Sequence, residues 1–167
     1  LVVSTASGLW RYVLGDVVEC TGRVGTAPRV RFLEREGHVL TLMHDRTSEH
    51  HLRAAVRSMR DRGVRVLRFC LGPSGAPGRP PRYALAIACD GAPPPAAAEW
   101  FDAALREANY SYNYDRREGA IGPLELHVVP VERFRALELA SAAQAGAQAK
   151  AVELSRSPDF LRALGIP

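Results

Sequence analysis

The sequence predicts an α+β fold of the ferredoxin-like type, in which the element order βαββαβ builds one sheet with two helices on one of its faces. Three observations predict this fold. Runs of β-branched and apolar residues recur between residues 38 and 130, two segments between these runs carry apolar residues at helical spacing, and 47% of the 167 residues are hydrophobic, which suffices for a core. We also expect additional C-terminal helices and an N-terminal β segment.

The first half of the repeat is a strand, a helix and a second strand. HVLTLM (38–43) and VRVLRFCL (64–71) have the composition of strands, and a helix is expected between them at 47–62, closed by Gly63. Four apolar residues form one stripe on this helix: Leu52, Ala55, Val56 and Met59. The stripe predicts the face that packs on the sheet.

The second half repeats this order after the loop GPSGAPGRPP. RYALAIAC (82–89) and LELHVVP (124–130) are expected to be strands. Between them, PPPAAAEWFDAALREAN (93–109) begins a helix with proline and places Phe101 and Leu105 on one face. The order βαββαβ is then complete.

Two more helices are expected beyond this repeat. The first spans residues 131–145, with Phe134 and Leu137 directed inward. The second spans residues 158–164, with Ser157 as its cap and proline at its first position. Both extend the α+β unit at its C-terminal end.

The N-terminal β segment contains a bend with a carboxylate. Residues 1–5 and 9–20 have strand composition, and the second run, which includes WRYVLGDVV, is interrupted at Gly15 and Asp16. Glycine permits a bend there, which leaves Asp16 at the mouth of the fold. A carboxylate so placed accepts two hydrogen bonds, and a ribose diol offers two hydroxyl groups. The alternative is an ordinary turn.

The charge composition favours an anionic partner. The net charge of +4 mildly favours a partner such as a nucleotide or a nucleic acid. Of the 22 basic residues 21 are arginine, and alanine, glycine and proline are abundant, which is typical of high-GC genomes and predicts a bacterial source. The single lysine, Lys150, lies in the segment AGAQAKAV, which we expect to be flexible.

The three cysteines, Cys20, Cys70 and Cys89, are expected to be buried thiols of a cytoplasmic protein. Their number is odd, they lack Cys-x-x-Cys spacing, and each lies in a strand-like run, which disfavours disulfides and zinc. The sequence has neither an apolar run of membrane-spanning length nor a secretory signal pattern. Its abrupt opening in LVVST predicts a fragment of a longer polypeptide.

The stretch MHDRTSEHH (43–51) has two interpretations. Its histidines and acids suggest a metal site, but their spacing does not match a helical zinc motif. It fits better the end of a strand that runs into a helix, with Asp45 or Thr47 as the cap and Glu49 in the first turn. Arg46 lies on this turn, where it can meet a phosphate.

The stretch ANYSYNYDRR (108–117) also has two interpretations. It alternates aromatic with polar residues and ends in two arginines, a pattern that suits base stacking. A packed edge of tyrosines beside a loop is the preferred interpretation. The sequence contains no Walker loop, kinase signature or Gly-x-Ser-x-Gly motif, so it shows no complete active site of its own.

Five segments carry a family resemblance. They are GLWRYVLGDVVECTG, APRVRFLERE, LTLMHDRTSEHHL, IGPLELHVVPVERFRAL and AQAK. In this order and at these spacings they resemble the C-terminal part of the Gretchen Hagen acyl-acid-amido synthetases, an auxin-responsive family of adenylate-forming enzymes. The resemblance implies that residues 1–28 end the N-terminal adenylation domain, 29–35 form a hinge, and 36–167 form the mobile C-terminal α/β domain.

The resemblance also implies an activity and its residues. The family uses ATP and Mg²⁺ to adenylate a carboxylic acid and then transfers the acyl group to an amine. Asp16 matches the residue that holds the ribose hydroxyls, and Tyr12 is assigned with it to nucleotide binding. Arg46 stands where the family has a lysine that reaches the nucleotide, and Lys150 matches a catalytic lysine that serves adenylation. No residue is assigned to a metal.

The resemblance further implies a partner, the N-terminal adenylation domain of the same polypeptide, without which the chain is expected to be inactive. It implies no nucleic acid and no membrane. The second hypothesis is a ferredoxin-like binding module of the RNA-recognition type. Such a module stacks bases on aromatic residues of its central strands. HVLTLM has none and RYALAIAC has only Tyr83, so the sequence favours the synthetase.

Overall fold

The chain divides into two units, Leu1–Val39 and Leu40–Pro167, in a computed structural model that describes residues 1–35, 39–145 and 151–166. The described part of the first unit is built of β structure, and the helices of the described chain belong to the second. The predicted α+β class is therefore confirmed. No helix in the described ranges has the length and apolar character needed to cross a bilayer.

The described residues of the first unit form two antiparallel strand pairs. β1 (Val2–Val3) pairs with β2 (Tyr12–Val13), and β3 (Asp16–Val24) pairs with β4 (Ala27–Arg35). The β3–β4 hairpin turns at Gly25, whose φ of +60° is a left-handed conformation that glycine adopts without strain. The segment expected to act as a hinge lies within β4.

The described side chains of the first unit form no core. Trp10 is 82% exposed, and none of the unit's described hydrophobic side chains is buried. Cys20, which was expected to be buried, is exposed, because the described side chains of this unit form no core over β3. The other exposed large hydrophobic residues of the unit are Leu1, Val2, Leu9, Tyr12, Val13, Leu14, Val17, Val24, Val30 and Phe32. An apolar surface of this extent is typical of a face that another protein body covers.

The second unit opens with a short strand pair and a helix. β5 (Val39–Leu40) pairs with β6 (Thr47–Ser48), and α1 (Glu49–Asp61) follows directly. The predicted helix at 47–62 is confirmed, and its apolar stripe is buried. Its N-cap is Ser48, whose backbone N–H donates to Nδ1 of the His51 ring at 3.3 Å. The expected cap, Asp45 or Thr47, is therefore wrong.

The predicted strand at 38–43 is wrong in length and in place. Of its described residues only Val39 and Leu40 are in strand conformation, and they lie outside the main sheet. The backbone N–H groups of Leu42 and Met43 instead donate to the Asp45 carboxylate, at 2.8 and 3.3 Å. The Asp45 carboxylate thus accepts the hydrogen bonds that a neighbouring strand would otherwise accept from this segment.

The main sheet has three strands in the part of the chain that the structure describes. β7 (Val66–Ser74) is antiparallel to β8 (Arg82–Cys89), which is parallel to β9 (Glu125–Val128). The connection from β8 to β9 contains α2 (Ala97–Ala108) and α3 (Tyr110–Arg117). Because the 38–43 segment does not enter this sheet, the strands β8 and β9 pair directly, and the sheet has the order β7-β8-β9.

Helices cover both faces of this sheet, since α4 (Val131–Ala145) and α5 (Pro158–Ala163) pack opposite α1 and α2. Side chains alternate along β8. Tyr83, Leu85 and Ile87 join the core under α1 and α2, whereas Ala84, Ala86 and Ala88 join the core with Phe134 of α4 and Leu161 of α5. The alanines leave room for the second helix layer, which the sequence predicted without assigning it to a face.

Candidate functional site

Arg46 lies at the exposed tip of the loop between β5 and β6. Its backbone φ of +40° is in the left-handed region, which a non-glycine residue rarely adopts without support from its surroundings. The two residues that follow it, Thr47 and Ser48, are buried, as is Asp45 before it. The loop therefore presents one arginine to solvent while its neighbours are fixed inside.

The Asp45 carboxylate organises this loop from within. The carboxylate is 1% exposed and accepts four hydrogen bonds, two at each oxygen. Oδ1 accepts from the N–H groups of Leu42 and Met43, and Oδ2 accepts from Thr47 Oγ1 at 2.7 Å and from the Tyr83 hydroxyl. A buried carboxylate is tolerated when it is bonded in this way.

Helix α3 holds the same loop from a second side. Asn109, the N-cap of α3, donates from Nδ2 to the backbone oxygen of Asp45 at 2.7 Å and to Thr47 Oγ1 at 3.2 Å, while its Oδ1 accepts from Tyr112 N. Asp115, also 1% exposed, accepts from the backbone N–H of His44 at 2.9 Å and lies 3.2 Å from the His44 ring. The loop is thus tied on both sides of Arg46.

The electrostatics of the cluster favour this fixed state. Burial raises the pKa of the Tyr83 hydroxyl well above its usual value, and the neighbouring Asp45 raises it further. Tyr83 therefore stays protonated and donates to the carboxylate. Burial and the charge of Asp102 raise the pKa of Tyr112 in the same direction, and its hydroxyl is 2.5 Å from Asp102 Oδ1. The site can offer a guanidinium to an anion without first ordering the loop.

The bend predicted in the first unit is present. Gly15 has φ +70°, and it separates β2, which contains Tyr12, from β3, which begins at Asp16. Tyr12 is 52% exposed and Asp16 is half-buried. The two residues thus lie on either side of one turn. Lys150, the predicted catalytic lysine, lies outside the described residues.

The sequence singled out Arg46 as a residue that can meet a phosphate, which stays a prediction, but it did not indicate the residues that hold the loop around it. Asp45 was read as a helix cap, and the stretch containing Asn109 and Asp115 was read as a tyrosine edge. That stretch forms α3, with Tyr110 and Tyr114 exposed and Tyr112 buried. The available signal is the pair Asn109 and Asp115 in that stretch. A tyrosine edge gives these two polar side chains no hydrogen-bonding partner.

A model of the GH3 family C-terminal domain matches residues 50–159, which include the main sheet, α2, α3, α4 and all but the first residue of α1. A model of the GH3 family central domain matches residues 1–35. The chain belongs to the GH3 family. The resemblance drawn from the five sequence segments, to the Gretchen Hagen synthetases, is thereby confirmed at the level of the family.

Curated GH3 proteins from plants are similar to this chain. A probable indole-3-acetic acid-amido synthetase, GH3.2 of Oryza sativa subsp. japonica, is 33% identical over 150 residues, which cover 80% of this chain and 24% of the relative. The indole-3-acetic acid-amido synthetase GH3.3 of Arabidopsis thaliana is 30% identical over 147 residues, which cover 82% of this chain and 25% of the relative. The chain thus spans about a quarter of these relatives' length. Their plant origin does not support the expected bacterial source.

A solved structure is similar as well. The GH3.15 acyl acid amido synthetase matches with a TM-score of 0.80 and 25% identity, covering 98% of this chain and 31% of that protein. Its complex with 2,4-DB matches with a TM-score of 0.81 and 26% identity. The mixed α+β architecture is therefore that of part of an acyl acid amido synthetase.

Proposed function

We propose that this chain is the C-terminal part of an ATP-dependent acyl-acid-amido synthetase. In the first step an oxygen of a carboxylic acid attacks the α-phosphorus of Mg-ATP, and the bond to pyrophosphate breaks. In the second step the nitrogen of an amine or amino acid attacks the acyl carbon, the bond to AMP breaks, and the amine loses a proton. Mg²⁺ enters as part of the Mg-ATP substrate, and no residue of this chain is assigned to it.

The observation that carries this proposal is the Arg46 loop on a GH3 C-terminal domain. A guanidinium that is fixed in place loses little freedom when it meets a phosphate, so it stabilises charge that develops there. The GH3 resemblance puts a nucleotide-contacting lysine at this position. Arg46 keeps the positive charge, and the network of Asp45, Asn109 and Asp115 holds the backbone that presents it.

The remaining residues keep the roles that the resemblance implies. Asp16 accepts hydrogen bonds from the ribose hydroxyls, with Tyr12 beside it at the nucleotide. Lys150 serves the adenylation step at the α-phosphate. Residues 29–35 act as the hinge about which the C-terminal domain, from residue 36 on, turns between the two steps. The half-buried carboxylate after the Gly15 bend is compatible with the ribose role.

The partner we propose is the N-terminal adenylation domain of the same polypeptide. The exposed apolar surface of the first unit, with Trp10 82% and Val24 72% exposed, supports it. Such a surface is unfavourable in water and gains free energy when another body covers it. We place the enzyme in the cytoplasm, where the free thiols of Cys20, Cys70 and Cys89 persist.

The RNA-recognition alternative is not favoured. That mode of binding requires an uncovered sheet face with exposed aromatic side chains. Here helices cover both faces of the main sheet, and Tyr83, the aromatic residue of β8, is fully buried. The proposed partners accordingly include neither nucleic acid nor a membrane.

Carboxylic-acid-dependent ATP–pyrophosphate exchange tests the proposal. We expect exchange by the polypeptide in which this chain follows its adenylation domain, and release of AMP with amide formation once an amine is added. The isolated 167-residue chain is expected to show neither, because it contributes only part of a nucleotide site. Exchange by the isolated chain would contradict the proposal, as would AMP release without amide.

A further inference from the structure

We propose a second anion site in the C-terminal unit, a pocket between α1 and the start of β7 that binds a small phosphate-bearing molecule with an apolar group. The pocket has a volume of about 370 Å³ and is lined by four arginines: Arg53, Arg57, Arg60 and Arg68. A volume of roughly 300 to 1,000 Å³ is usual for small-molecule sites. Arg46 does not line this pocket, so the site is separate from the loop described above.

The arginines of the pocket differ in whether a carboxylate neutralises them. Arg53 is neutralised locally, since its Nε donates to Glu153 at 2.7 Å and its Nη2 to Glu49 at 3.1 Å. Glu153 is the acidic side chain among the described residues that line the pocket, and its carboxylate is already paired with Arg53. Of the other pocket arginines, Arg68 is paired with a carboxylate outside the pocket, whereas Arg57 and Arg60 form no ion pair with a described carboxylate.

Two of those arginines are held in place yet keep free donors. Arg60 Nη2 donates to the backbone oxygen of Val66 at 2.9 Å, and Arg68 Nη1 donates to the backbone oxygen of Leu67 at 3.2 Å. Arg68 also lies 3.5 Å from Glu138. Each guanidinium has five N–H donors, so both retain several for a ligand. Arg57 is exposed, and its guanidinium has no hydrogen bond or ion pair to any described residue.

The walls of the pocket are held by their own contacts. Its third wall is the segment that begins at Ala151, and this segment is anchored where Leu71 N donates to Glu153 O and Ser155 N donates to Leu71 O, each at 2.9 Å. The floor includes the apolar residues Val56 and Phe69. A preformed cavity of this kind requires little reorganisation on binding.

These features select the class of ligand. Surplus N–H donors around a cavity suit a group with several acceptor oxygens, and arginine forks match phosphate in particular. The apolar floor suits a ring or a short acyl group attached to that phosphate. A nucleoside monophosphate has both a phosphate and a ring system. Comparing AMP with inorganic phosphate therefore separates the contribution of the apolar group from that of the phosphate.

Isothermal titration calorimetry on the complete chain tests this site. AMP is expected to bind in a saturable way and more tightly than inorganic phosphate. The double variant Arg57→Gln/Arg60→Gln is expected to weaken AMP binding at least tenfold. Arg117→Gln/Arg135→Gln is the matched control, because it removes the same charge from exposed positions outside the pocket. Its AMP affinity is expected to stay within twofold.

Several results would overturn the site. They are equal weakening in the two double variants, loss of AMP binding in Asp16→Ala instead of in the arginine double, or the absence of saturable binding. Tighter binding of a single-stranded oligonucleotide with increasing length would also overturn it in favour of a nucleic-acid surface. If Arg60→Gln alters thermal unfolding, the single variant Arg57→Gln provides the test. We expect it to weaken AMP binding at least threefold, and an unchanged AMP affinity would contradict the proposal.

Discussion

Replacing Tyr83 with phenylalanine removes one bond to the Asp45 carboxylate and leaves the ring in the core. The hydroxyl donates to Oδ2 in a fully buried setting, and the remaining three donors, on Leu42, Met43 and Thr47, stay in place. A hydrogen bond to a charged group contributes about 1.5 to 3 kcal/mol. We expect Tyr83→Phe to lower the free energy of unfolding by about 2 kcal/mol.

Two measurements follow from this loss. At about 3 °C per kcal/mol for a domain of this size, the melting temperature should fall by about 4 to 9 °C. Amide hydrogen exchange should accelerate at Leu42 and Met43, whose N–H groups donate to the same carboxylate. Tyr110→Phe makes the same chemical change on a side chain that is 82% exposed, and it should change neither quantity measurably.

Equal melting temperatures for Tyr83→Phe and Tyr110→Phe would refute this reasoning. It would mean that Asp45 does not depend on the tyrosine hydroxyl, and that the loop around Arg46 is held by other contacts. An unchanged exchange rate at the loop amides, with a lowered melting temperature, would show that the hydroxyl stabilises the core without ordering the loop.

The other predictions concern the nucleotide residues and the thiols. Asp16→Ala in the complete polypeptide should raise the KM for ATP by about 10- to 150-fold, equivalent to about 1.5 to 3 kcal/mol, whereas Glu19→Ala on the same strand should not; an unchanged KM would restore the plain-turn interpretation. Lys150→Ala should lower ATP–pyrophosphate exchange about 100-fold while amide formation from supplied acyl-adenylate stays within a few-fold; equal losses would refute its role. Burial, and secondarily the charge of Glu153, raises the pKa of Cys70 to about 12, so at pH 8 a thiol reagent should label Cys20 readily and Cys70 only after unfolding; comparable rates would contradict this burial.

The raised pKa of Cys70 also makes the stability of the fold depend on pH. The folded protein retains the thiol proton where the unfolded chain, with a pKa near 9.0, loses it. The stabilisation is complete below pH 9 and is lost as the pH rises towards about 12. Cys70→Ala should flatten the decline of the melting temperature over this interval, and an unaltered decline would show that the thiol does not contribute.

Regular elements could be predicted because their signals are local. The strand 82–89 and the helix 131–145 have the bounds that the sequence predicts. Larger residues alternate with alanine along the strand, and Val131, Phe134 and Leu137 recur every three residues in the helix. The strand at 38–43 failed because Asp45, two to three residues further on, competes for its backbone N–H groups.

The support of the candidate site could not be predicted, because its bonds join residues far apart in sequence. Tyr83 and Asn109 lie 38 and 64 positions from Asp45, and Asp115 lies 71 from His44. Local pattern carries no information about such pairs. The role of Arg46 at the nucleotide stays a prediction from the resemblance, and the structure adds that this residue is exposed on a loop held by those distant bonds.

The most direct test of the account is the exchange rate of Arg46 variants in the complete polypeptide. We expect acid-dependent ATP–pyrophosphate exchange in the natural protein, a loss of at least tenfold in Arg46→Gln, and recovery of most of the rate in Arg46→Lys, which restores a cation at the loop tip. Arg117→Gln serves as the control for removal of one exposed charge. Exchange in Arg46→Gln equal to that in Arg117→Gln, or no exchange in the natural protein with any acid, would contradict the account.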